Sequence, residues 1–246
     1  MSAQLSAPTS PRNRERVPRC PRPVGGRKIV ALRLVGGAVV LWAALSLIGL
    51  LITSVLAHGL GHSWDRGADV WLAAHRTGFW NTITMFGSGL ADTRTAIAVT
   101  VVVVLFLRWR LGRWYESWVV VAAIAGELLV FLAVTATVHR PRPPVTELDA
   151  APPTSSFPSG HTAAAMALYG CLAVLLMWTY GRRRATRIAA GALYCVPVVV
   201  GLSRLYRGMH YPSDVLVGAL GGGLWLLLVI TTLLPRRGTA DPGPTQ

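Results

Sequence analysis

The sequence predicts an all-α protein: a polytopic membrane helical bundle of about six transmembrane helices, with N- and C-termini cytoplasmic. Three observations carry this. Of 246 residues, 52% are hydrophobic and only 14% are charged, against about a quarter charged in soluble domains. The apolar residues fall in blocks of about 18 or more with almost no charge, the length that spans a bilayer core. The formal charge of +14 is gathered in a few segments that flank those blocks. An ordinary soluble enzyme, a coiled coil and a disordered chain are excluded.

Residues 1–28 form the first element, a tail rich in Pro, Ser and Arg that cannot bury a core. Its basic residues suit anionic lipid headgroups as partners, and basic flanks mark cytoplasmic ends. Six spans follow within residues 29–234: Ile29–Ala57, Thr93–Leu107, Trp118–Val138, Thr162–Tyr180, Ile188–Leu202 and Val215–Leu234. Residues 58–92 mix Trp64, Trp71, Phe79 and Trp80 with polar residues, the composition of an interfacial helix in an aromatic belt. Residues 139–161 read as a Pro-rich loop, and 235–246 as a short cytoplasmic tail. Cys20, Cys171 and Cys195 imply no disulfide framework.

In a soluble protein such a basic excess would point to nucleic acid. Here its placement sets topology, and no nucleic-acid partner is expected. With the N-terminus inside, 17 Lys and Arg fall on the inner side and seven on the outer: Arg66, Arg76, Arg94, Arg140, Arg142, Arg204 and Arg207. Four of those seven sit in the loops after the third and fifth spans, where the topology rule disfavours them. A cell-membrane protein whose active site faces the extracytoplasmic side is the expectation.

Three segments meet on that side: His139 to Pro143, Pro158 to His161, and Ser203 to Asp214. They supply arginines, histidines, a serine and a carboxylate, an inventory for binding and splitting a phosphoester. Arg142 and Arg204 offer planar, bidentate donors. Ser159 and Gly160 open a helix, whose free N–H groups face an anion, and Gly160 allows close backbone approach. Pro212 marks a helix start, so His210 sits on the entering turn. Asp214 could hold its imidazole in one tautomer, leaving the other nitrogen to attack phosphorus. His161 would protonate the leaving oxygen and then take a proton from water.

Arg142-Pro143, Pro158-Ser159-Gly160-His161, and Ser203-Arg204 with His210 and Asp214 resemble the three-part signature of the type 2 phosphatidic acid phosphatase superfamily, which includes lipid phosphate phosphatases and vanadium haloperoxidases. The resemblance implies a phosphohistidine intermediate on His210, Asp214 as its orienting partner and His161 as general acid. It implies phosphate binding by Arg142, Ser159, Gly160 and Arg204, with no metal and no cofactor. The family's first motif carries a lysine seven residues before the arginine of its Arg-Pro pair; this sequence has Thr135 there. Thr135 could donate one hydrogen bond but brings no charge. Arg140 is the nearest replacement for that charge; its alternative role is to meet lipid headgroups.

The expected activity is a lipid phosphatase acting on phosphatidic acid, phosphatidylglycerol phosphate or a polyprenyl pyrophosphate such as undecaprenyl pyrophosphate. A vanadate-dependent haloperoxidase and a catalytically silent lipid-binding membrane protein are the alternatives. Oligomeric state is not legible. Outside the site, His58 and His62 form an i, i+4 pair read as a polar turn at headgroup level. Glu127, inside the third span, is expected to hydrogen-bond a neighbouring helix. Arg207 is expected to touch substrate or headgroups.

Overall fold

The computed structural model describes residues 26–55, 60–151 and 154–234. It has eight α-helices among the described residues: α1 (Arg27–Leu50, continued by a π turn over Leu51–Val55), α2 (Leu60–Ala74), α3 (Gly78–Gly89), α4 (Thr93–Leu111), α5 (Tyr115–Thr137), α6 (Gly160–Tyr180), α7 (Arg184–Tyr206) and α8 (Pro212–Leu233). Most of the expected basic tail, the C-terminal tail, His58 and the side chain of His62 lie outside the described residues; Arg27 and Lys28 begin α1.

Five helices are long and apolar enough to cross a membrane: α1, α5, α6, α7 and α8. The sixth candidate is the pair α3 and α4, bent by 48°. The stretch expected to be interfacial, 58–92, holds two helices among the described residues, α2 and α3. Among the described helices α2 lies outside the candidate spans, while α3 passes only together with α4, as a broken span or a re-entrant loop. The break falls where Asp92 caps α4 by accepting from the Arg94 N–H at 3.2 Å. Tyr169 ties it to α6 by donating to the Leu90 carbonyl at 2.7 Å. Of the polar residues in 78–92, Asp92 serves this bend, while Ser88 and Thr84 accept from Arg204 and Arg207.

α6 is the central helix and packs against α5, α7 and α8. Water drives little helix association in lipid, so close backbone packing must supply it. Here α8 presents Gly218 and Gly222 to α6: a Cβ on either would stand 2.5 Å from the carbonyl oxygen of Ser159 or Ala163. The same contact positions the start of α6 against the start of α8. α1 runs antiparallel to α8, with Gly37 beside Leu228 and Leu45 beside Gly221. The described chain thus begins and ends at one end of the bundle, and the three segments singled out in the sequence collect at the other.

α2 is an inverted amphipathic helix. Trp64 and Trp71 are 59% and 60% exposed, while Asp65 and Asp69 on the opposite face are 3% and 1% exposed. Aromatic-out and carboxylate-in is the arrangement for a helix whose outer surface meets lipid and whose inner surface meets a polar centre.

Candidate active site

The polar centre is built at the N-terminal ends of α6 and α8 and the C-terminal end of α7, and is covered by residues 138–151 and 154–159 and by α2. Ser159 and Gly160 do open α6, and Pro212 does open α8. His210 sits on the turn between α7 and α8, as the proline implied. Its Nδ1 lies 2.7 Å from the Ser156 carbonyl oxygen. A carbonyl only accepts, so Nδ1 carries the proton and Nε2 holds the lone pair. Nε2 has no hydrogen bond among the described residues. Burial first, then the charges of Arg204 and Arg142, push this imidazole well below its ordinary range. A neutral ring with its free nitrogen beside two arginines is the state a nucleophile requires.

Asp214 does not hold that imidazole directly. Its Oδ2 is 4.0 Å from His210 Nδ1. Oδ2 instead accepts from Ser156 Oγ at 2.5 Å and from the Tyr211 N–H at 3.0 Å, while Oδ1 accepts from Arg140 at 2.5 Å. Ser156 is the missing link: its hydroxyl serves Asp214 and its carbonyl serves His210. No spacing or motif points to Ser156, which is one serine among several in a loop and is aligned only by the fold.

Arg140 departs from both readings of it. It is buried and meets neither headgroup nor open pocket. Nη1 donates to Asp214 Oδ1 and to Ser213 Oγ, the latter at 2.7 Å, and Nη2 to Asp65 Oδ2 at 2.8 Å. The guanidinium stacks over Tyr211, 4.1 Å from the ring centroid. Burial works against its charge, but Asp214 and Asp65 more than offset this and hold its pKa above the ordinary value. Thr135 also differs from expectation. Its hydroxyl bonds back to the Phe131 and Leu132 carbonyls of its own helix at 3.1 Å, so it brings no donor to the pocket.

The remaining arginines, Arg142, Arg204 and Arg207, line the same centre. Arg142 donates to the Met209 carbonyl at 2.7 Å, beside His210. Arg204 donates to Ser88 Oγ at 2.9 Å and to Asp149 at 3.0 Å, and its Nε is buried without a partner among the described residues. Arg207 grips Asp149 with two bonds of 2.7 and 2.6 Å and caps the Asn81 and Leu148 carbonyls. Burial alone would raise the Asp149 pKa; hydrogen bonds and charge from Arg207, with Arg204 and then His161, hold it below the ordinary carboxylate value. Arg207 is therefore a clamp on the covering loop, and Asp149 aligns Arg204. Arg76 adds a further tie, donating to the Tyr206 carbonyl at 3.0 Å and the Thr146 carbonyl at 2.6 Å.

His161 stands on the first turn of α6, partly exposed, with no hydrogen bond among the described residues. Ser159 is buried, its Oγ 3.0 Å from Thr162 Oγ1. Gly160 is explained by packing rather than by approach to an anion: a Cβ there would lie 2.7 Å from the Phe131 ring. Glu127 is buried beside Trp225 and Gly222 in a small cleft and has no hydrogen-bond partner among the described residues. The expected partner on a neighbouring helix is absent there; Trp225 donates instead to the Ala122 and Ala123 carbonyls. Asp65, Asp69, Ser88, Asp149 and Ser156 were not singled out from the sequence. Asp65 and Asp69 had one usable signal, an i, i+4 carboxylate pair on a helix otherwise rich in Trp and Ala.

Fold and site together define a multi-pass helical membrane protein with a two-histidine, arginine-lined anion centre at one end. Residues 116–237 match the family model of the PAP2 superfamily, and the chain belongs to that superfamily. It is 42% identical over 82 residues to phosphatidylglycerophosphatase B of Escherichia coli (strain K12), covering 33% of this chain and 30% of that one. It is 35% identical over 83 residues to a lipid A 1-phosphatase of Rhizobium etli, covering 34% and 31%. The chain thus spans about three tenths of the length of these curated relatives. Its fold is similar to the crystal structure of a transmembrane PAP2 type phosphatidylglycerolphosphate phosphatase from Bacillus subtilis, with a TM-score of 0.67 at 20% identity, covering 80% of this chain and 94% of that one.

Proposed function

We propose that the protein is an integral-membrane lipid phosphatase, with residues 29–234 as its catalytic domain. Its substrate is a lipid carrying a phosphomonoester or terminal pyrophosphate, with the headgroup in the extracytoplasmic leaflet of the cell membrane. Phosphatidic acid, phosphatidylglycerol phosphate and polyprenyl pyrophosphate are the substrates to test. The observation that carries this is the His210 ring, held through Nδ1 with Nε2 free, beside Arg142 and Arg204.

In the first step His210 Nε2 attacks phosphorus, and the bond from phosphorus to the lipid oxygen breaks. His161 gives its proton to that leaving oxygen. In the second step water attacks the phosphohistidine, His161 takes the water proton, and the P–N bond breaks to release phosphate and restore His210. Arg142 and Arg204, with the N–H groups at the start of α6, face the charge that spreads over the equatorial oxygens. Arg207 is held by two bonds to Asp149, and Arg204 shares that carboxylate through one bond while its Nε stays unpartnered among the described residues.

The test is phosphate release by purified protein in detergent from the three lipid phosphates, with and without chelator and vanadate. Release that survives chelator and is inhibited by vanadate, a five-coordinate mimic of the transferring group, supports the reading. Release from none of them, or halide oxidation after vanadate loading, overturns it.

A further inference from the structure

We infer that Asp65 on α2 and Arg140 are positioning residues that set the nucleophilic histidine through Asp214 and Ser156. This rests on the reading of His210 as nucleophile and extends it to two residues that touch neither substrate nor the reacting atoms.

The connection is continuous and buried. Asp65 Oδ1 accepts from the Ser213 N–H at 3.0 Å, capping α8; its Oδ2 accepts from Ser213 Oγ at 2.5 Å and from Arg140 Nη2 at 2.8 Å. Arg140 Nη1 reaches Asp214 Oδ1. One planar guanidinium thus spans two carboxylates in a fixed fork, which a single ammonium cannot do. The Tyr211 ring fixes the plane of that fork.

Asp214 is then fully occupied, with Arg140 on one oxygen and Ser156 Oγ and the Tyr211 N–H on the other. Ser156 is fixed from two sides. Its hydroxyl is bound by Asp214, and its N–H donates to the Arg140 carbonyl at 2.9 Å. Its own carbonyl therefore has one place to be, 2.7 Å from His210 Nδ1. Rotation of the Arg140 fork releases Asp214, then Ser156, then the tautomer of His210. A cap on α8 alone would need only the Ser213 contacts; the Asp65–Arg140 bond is the part that serves the histidine.

The experiment uses the full chain purified in detergent, as wild type, Asp65→Asn, Arg140→Met, Arg140→Lys and the double variant Asp65→Asn/Arg140→Met. Turnover of a lipid phosphate gives kcat and KM, and 15N-labelled histidine reports the His210 tautomer, assigned with His210→Ala. The single variants should lower kcat by about ten- to a hundredfold, the range for outer partners that orient an imidazole, and leave KM nearly unchanged. Arg140→Lys should recover part of the loss of Arg140→Met. The double variant should be no worse than Arg140→Met alone, because both act on one chain. The His210 signal should move from a single Nδ1–H tautomer to a mixture. Unchanged kcat and an unchanged tautomer in Arg140→Met overturn the inference; if that variant does not fold, the same result in Asp65→Asn does so. His210→Ala separates the two claims. If it retains turnover, the reading of the site falls. If it is inactive while Asp65→Asn and Arg140→Met keep the wild-type kcat and tautomer, only the positioning chain falls.

Discussion

The two ends of the bundle both bury a carboxylate against an arginine, and they do so differently. At the far end Arg113 meets Glu116 at 2.6 Å, three residues apart on the opening turn of α5. At the site end Arg140 meets Asp65 and Asp214, 75 and 74 residues away. The first pair is local and closes within one helix start, where the acidic residue also favours the dipole. The second fastens α2, the covering loop and α8 together. A buried ion pair is weak evidence for stability, since desolvation opposes the Coulomb gain. What distinguishes the site end is that three of its carboxylates each align something else: Asp214 aligns Ser156, Asp149 aligns Arg204, and Asp65 aligns Arg140.

The largest test of that contrast is His210→Ala, which should reduce phosphate release to background while the folded protein is retained. Release at the wild-type rate would remove the chemistry from the site end altogether. Next comes Arg204→Ala, expected to cost about a hundredfold or more in kcat, the usual loss for one charged or polar donor to a transition state. Arg204→Lys should restore little, because an ammonium cannot hold Asp149 and a phosphate oxygen in one plane.

At the far end, Glu116→Gln should leave kcat within about twofold. It strips the partner from Arg113, whose side chain is partly exposed, so the unfolding midpoint should fall modestly. A large loss of turnover at full stability would show that the two ends are coupled.

The smallest effect belongs to Asp69. Burial, with the charges of Asp65 and Asp214, raises its carboxyl from the usual 3.8 to about 8. Between those values the folded protein keeps a proton that the unfolded chain has lost, so stability falls as pH rises across that window. Asp69→Asn removes the titration. Its gain in unfolding midpoint over wild type should therefore be small near pH 4 and largest near pH 8; a gain that does not grow with pH would contradict the assignment.

Much of the fold was legible because a span declares itself by length and composition. Ile29 to Ala57 and the four later apolar blocks need no tertiary information. The expected span Thr93–Leu107 corresponds to α4, but its bent pairing with α3 was not legible, because the bend at Asp92 leaves no apolar run across residues 78–111. Within the site, His161, His210, Arg142 and Arg204 were singled out by motif spacing, and the fold brings them to one centre. Ser156 and Asp149 were not, because a hydrogen-bonding role assigned by a loop's path leaves no periodic trace. Arg140 was noticed for its charge and placed on the wrong partner. Sequence spacing put it near an anion, and only the fold showed that the anion was Asp214.

The most direct measurement is covalent. Purified protein is mixed with a lipid phosphate, quenched in alkali within one turnover, digested, and searched by mass spectrometry for a phosphorylated peptide. The account predicts phosphate on His210, accumulating further in His161→Ala when the leaving group is good. Turnover that proceeds with phosphate on no residue, or on a residue other than His210, would contradict it.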